Sequence, residues 1–164
     1  MSTTMPTIAL PVTWKVLESS RNQAATSALG FGLNSTISAV RHRCLSSLLA
    51  RNDESGHRSI LLSWEHLDAS DRQLLSAQSQ KFVSPAREVL QNGSIQEKKL
   101  ILSAVSDLDL TDSADILLEY VEEIKSPLRE SAAECLLAMC ERWGRGSRRT
   151  GVLTNSLRQL LVKK

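Results

Sequence analysis

The sequence predicts an all-α chain built from short antiparallel helix pairs that repeat along its length. Three observations carry that prediction. Aromatic residues make up only 4% of the 164, so a core has to be built from Leu, Ile, Val and Ala, a mix that suits packed helices better than sheets. Seven glycines and four prolines are too few for the turns of an all-β chain. Apolar residues recur three and four positions apart in several segments, the spacing of one helix face.

The elements follow in order. Residues 1–20 read as an N-terminal arm, partly disordered or a capping helix. The start, MSTTMPTIALPVTW, has no basic residue ahead of its apolar part, which argues against a secretory signal. NQAATSALGFGLN is a first helix, and its Gly-Phe-Gly reads as close packing or a kink rather than a phosphate loop. STISAVRHRCLSSLLAR, Ser35 to Arg51, is the partner helix. GHRSILLSWEHL and SDRQLLSAQSQKF form a further pair. SPAREVLQ, stopped by Asn92-Gly93, precedes SIQEKKLILSAVSDL, Ser94 to Leu108.

Thr111-Asp112-Ser113 offers a cap for a helix with a stripe of Ile116, Leu117, Tyr120, Val121 and Ile124. A short link, Lys125-Ser126, then forces the chain back on itself. Ser126 is suited to cap the next helix and Pro127 to open it. Leu128, Ala132, Cys135, Leu136 and Met139 give that helix one apolar stripe, small at its start and large beyond. A last helix, VLTNSLRQLLVKK, has a stripe and no partner, as if a longer stack were cut or capped there.

The second helices superimpose as sequences. Arg41 falls on Arg129, Cys44 on Ala132, Leu45 on Ala133, Leu48 on Leu136 and Leu49 on Leu137. Lys98 and Arg72 take the arginine's place in the other two pairs. The register cations Arg41, Arg72, Lys98 and Arg129 stand 31, 26 and 31 residues apart, the period of a helical-hairpin solenoid. Residues 21–164 therefore read as one repeat domain of about four hairpins and a terminal helix.

SADILLEYVEEIKSPLRESAAECLLAMCER resembles a HEAT repeat of the short type also called PBS-lyase-like. The family's second helix carries proline or valine, then arginine, small residues and leucine; Pro127, Arg129, Ala132, Ala133 and Leu136 hold those places. The resemblance covers 112–142 and extends over 22–51 and 94–108. It fades over 56–83, and Lys125-Ser126 replaces the family's aspartate between helices. It implies a right-handed α–α superhelix (HEAT/ARM-like) with a binding role, whose members are scaffolds, adaptors and occasionally lyases or DNA glycosylases.

Function is less legible. A net charge of +2, from twenty basic and eighteen acidic residues, is too balanced to imply nucleic acid or a membrane surface. No apolar run is long enough to span a bilayer. Cys44, Cys135 and Cys140 are too few for a disulfide framework and read as small buried hydrophobes in a reducing cytoplasm. His42, His57 and His66 lack ligand spacing, so no metal, cofactor or catalytic residue is expected. Glu65, Asp68 and Asp71 read as turn caps.

The expectation is a non-catalytic scaffold, monomeric or weakly oligomeric, that binds a protein partner. Its concave face, made of second helices, would carry Arg41, His42, Arg72, Lys98, Arg129 and Glu130, unless the register cations bond the neighbouring repeat. Two alternatives stand beside it. One is phosphate or nucleic-acid binding by Arg142, Arg145, Arg148 and Arg149 with Trp143. The other is a lyase-like or DNA-repair-like enzyme subunit, which the acidic run Asp107–Glu123 disfavours. Trp14 and Trp64 read as groove fillers.

Overall fold

The computed structural model describes residues 9–143, and among these every regular element is helical. The last helix expected at 152–164, together with Arg145, Arg148 and Arg149, lies outside the described residues. The chain divides into two compact units, Met1–Leu67 and Asp68–Lys164.

The first unit holds α1 (Ala9–Ser19), α2 (Gln23–Gly32), α3 (Ser38–Arg51) and α4 (Glu54–Leu62), closed by a 3-10 turn at Trp64–His66. Helix α3 packs on α1, α2 and α4, and α2 packs on α1 and α4. Leu29, Leu33, Leu45, Leu48, Ile60 and Trp64 are fully buried and form the core. Asn22 caps α2 by accepting from the Ala24 N–H at 2.9 Å, and Asp53 caps α4 through the Gly56 N–H at 2.6 Å. The segment from Ala9, read from its sequence as part of an arm, is helical because α3 gives it a surface. Ser47 Oγ and Arg43 both reach Glu18 at 2.9 Å.

The Gly-Phe-Gly stretch lies in α2, and its glycines are there for closeness. A Cβ on Gly30 would sit 3.1 Å from the Ser59 side chain of α4. One on Gly32 would collide with Cys44 Sγ of α3. Phe31, between them, is 83% exposed.

The second unit holds α5 (Ala69–Ser76), a 3-10 turn at Ser79–Phe82, α6 (Val83–Asn92), α7 (Ile95–Asp107), a 3-10 turn at Thr111–Ser113, α8 (Ala114–Glu122) and α9 (Arg129–Trp143). Helix α6 packs on α7 and α8, and α9 packs on α7 and α8. First helix thus meets first helix and second meets second. Leu90, Ile101, Val105, Leu117, Ala132 and Met139 are buried where they meet. Asp68 caps α5, and Ser94 with Glu97 forms a reciprocal capping box on α7.

Several expected boundaries are displaced. Thr111-Asp112-Ser113 makes a 3-10 turn and no side-chain cap, and Ser113 is buried. Helix α9 opens at Arg129 rather than Pro127. Ser126 still accepts from the Leu128 N–H at 3.4 Å, so the turn it organises precedes the first helical residue. Ile124 is 78% exposed because α8 has already ended at Glu122. The pair expected over 56–82 is divided, with α4 in the first unit and α5 in the second. Gly93 stops α6 with φ −69°, not in the left-handed region. The glycine is needed because a Cβ would lie 2.6 Å from the Val89 carbonyl oxygen.

Candidate functional site

Helix C-termini expose carbonyls that have no partner within the helix, and cations are favoured there. The register cations use that fact. Arg41 Nη1 donates to the Ser35 carbonyl, just past α2, at 2.8 Å. Lys98 Nζ donates to the Gln91 carbonyl in the last turn of α6 at 3.2 Å. Arg129 Nε donates to the Val121 carbonyl in the last turn of α8 at 3.0 Å. Each reaches back six to eight residues, into its own pair. The expectation that these cations bond a neighbouring repeat is therefore corrected. Arg72 differs, pairing with Asp107 of α7 at 3.4 Å.

A second set of arginines reaches farther, and sequence reasoning missed most of it. Arg51, at the end of α3, donates to the Leu17 carbonyl of α1 at 2.8 Å and to the Ser20 carbonyl, and it pairs with Asp53 at 3.0 Å. Its side chain is 5% exposed. Arg142, at the end of α9, donates to the Ser106 carbonyl of α7 and to Ser106 Oγ at 2.9 Å. Arg87 of α6 grips Asp115 of α8 with two bonds of 2.6 and 2.9 Å and also reaches the Asp112 carbonyl. That contact holds the Asp115 carboxyl below its ordinary range. No local pattern marks these arginines, because their partners lie 25 to 36 residues away.

The aromatic residues are equally structural. Trp64 is 1% exposed. Arg43 lies over the half-buried Trp14 ring at 5.8 Å. The Tyr120 hydroxyl donates to the Leu90 carbonyl, and Lys98 lies 5.4 Å from its ring, so both seal the end of α6. His42 is exposed on α3. Trp143 is the last residue of α9. All three cysteines are free and buried.

The candidate site is the groove between α7 and α9. Two open hollows of about 560 and 330 Å³ share Ser106 and Asp107 and so run together. Helix α7 contributes Leu102, Ser103, Ser106 and Asp107, and α9 contributes Ser131, Glu134, Cys135, Ala138, Glu141 and Arg142. From Ser131 to Arg142 the groove is about 16 Å long at the rise of an α-helix. The second-helix face thus carries a cleft, but of the residues expected to bind only Arg142 borders it. Arg41, Lys98 and Arg129 seal helix ends instead.

Cys135 is the one thiol in the groove. It donates to the Leu102 carbonyl at 3.4 Å, and burial pushes its pKa up to about 12. It is a packing residue, protonated across the physiological range. A smaller polar hollow of about 320 Å³ lies at the ends of α1 and α3, lined by Glu18, Arg21, Arg51 and Asp53 among others. Among the described residues no three His, Cys, Asp or Glu converge as a metal site, and no helix is long and apolar enough to cross a membrane. No family model matches the chain, and neither does a curated protein or a solved structure.

Proposed function

We propose that this chain is a non-catalytic helical-repeat scaffold that binds a protein partner along the face of its second helices. On this reading its pairs follow one another as a HEAT-like, right-handed superhelix of the PBS-lyase type, working in the cytoplasm. The observation that carries the proposal is the α7–α9 groove. It is open and long, its floor is apolar and its rim polar, and its only thiol is held protonated. Such a surface suits a peptide segment better than a reacting small molecule, which needs an enclosing pocket with a few converging polar groups. The neighbour pattern in the second unit supports the repeat reading, since α6 meets α8 and α7 meets α9.

Site-directed photocrosslinking tests it. A photoreactive residue in place of Ser131, inside the groove, should capture a defined protein, and Ala138→Trp should abolish that product. The same residue in place of the exposed Gln73 on α5 should not yield it. Equal products from both positions, or none from Ser131, would remove the groove from consideration.

A further inference from the structure

We infer that the groove between α7 and α9 receives a basic segment of the partner protein, with two cationic side chains three positions apart along an extended strand and apolar residues between them. The inference rests on the reading of the groove as a protein-binding face and adds the chemistry of what it binds.

Charge complementarity names the occupant. Three carboxylates border the groove, those of Asp107, Glu134 and Glu141. The one cation there, Arg142, has its Nη2 engaged by Ser106. Asp107 meets Arg72 at 3.4 Å, with side chains 45% and 36% exposed, so water screens that pair and leaves the carboxylate available to a closer cation. Glu134 forms no hydrogen bond or ion pair among the described residues. Beneath these carboxylates lie Leu102 and Cys135, each 5% exposed, which an apolar side chain can cover.

Geometry narrows the class. Glu134 and Glu141 stand two helical turns apart, about 10.5 Å along α9. Residues three apart in an extended chain are separated by about 10 Å. A strand laid along α9 therefore brings cations at positions i and i+3 to both carboxylates, with the intervening side chains over Leu102 and Cys135. The same field repels phosphate, so a nucleic acid is disfavoured on this face.

The test uses the full chain and a fluorescent eight-residue peptide with lysine and arginine three positions apart and leucines between them. A second peptide carries glutamine at both cationic positions. Anisotropy at low salt should show the first binding at least about tenfold more tightly than the second, with the difference shrinking as salt rises. Glu134→Lys should abolish that preference while helix content is unchanged.

Equal affinity for both peptides, or a preference untouched by Glu134→Lys, overturns the inference. So does binding that emerges only when Arg145, Arg148 and Arg149 are all replaced by glutamine, since the occupant would then be this chain's own basic run. If the peptides fail while the Ser131 crosslink persists, the basic occupant is wrong and the scaffold reading stands. If the crosslink is also absent, the scaffold reading falls with it.

Discussion

A methyl group is the difference between a helix end that fits and one that does not at Gly32. The Cys44 Sγ occupies the space a Cβ would need. Alanine is the better helix former by about 1 kcal/mol, yet the collision should outweigh this. Gly32→Ala is expected to destabilise by about 1–2 kcal/mol, lowering Tm by a few degrees. In a Cys44→Ala background the same change should cost nothing further, a non-additivity that a thermal-melt double-mutant cycle reads directly.

Cys135 makes a second residue-scale prediction. Its folded pKa of about 12 lies above the unfolded value of 9.0, so above pH 9 the unfolded state releases a proton that the folded state keeps. The stability it contributes is complete below pH 9 and is lost as pH rises towards 12. Cys135→Ala should therefore melt lower at pH 8 but lose stability less steeply on the alkaline side. An identical slope in both proteins would show that the thiol is not shielded. The sequence was a good guide to this burial, because helical spacing places Cys44, Cys135 and Cys140 on inward faces. It was silent on Gly32, because the sulfur it must clear belongs to another helix.

At the scale of elements, arginine and lysine close helices from outside. Arg129→Ala removes one bond to a C-terminal carbonyl of α8 and should cost about 1 kcal/mol. Arg51→Ala strands several carbonyls under an almost fully covered side chain and should cost at least about 2 kcal/mol. Chemical denaturation that ranks Arg129→Ala as the more damaging would contradict this hierarchy. The existence and order of the helices were legible from apolar spacing, Asn22 and Ser94 were legible as caps by residue type, and Pro127 misled. Its preference for a first helical turn was overridden by the turn that Ser126 organises with Leu128. Ile124 misled in the same way, because periodicity counts residues but does not say where backbone hydrogen bonding stops.

Across the whole molecule, the division after Leu67 is what the repeat pattern did not anticipate. Spacing made the stretch over 56–82 a pair like the others, whereas contacts assign its two helices to different units. Hydrogen exchange followed by mass spectrometry gives a direct measure. Gly32→Ala should reduce amide protection in α2, α3 and α4 while α7 and α9 stay protected. A uniform loss along the chain would mean that both units open as one. The groove shows the same limit of sequence reading. That second helices form the candidate face followed from the repeat, but which side chains line it depends on helix rotation, and the register cations that looked poised to bind are engaged at helix ends.

The reach of those cations bears on how such a chain can grow. A register cation and the carbonyl it seals lie within eight residues of one another, so tandem duplication of a hairpin copies bolt and socket together. Arg51 and Arg142 instead grip carbonyls of the preceding helix, 34 and 36 residues back. A graft spliced between α1 and α3, or between α7 and α9, would part each of these arginines from its anchor. Insertions that carry both helices of such a couple are the ones this lineage could accept without redesigning a seam.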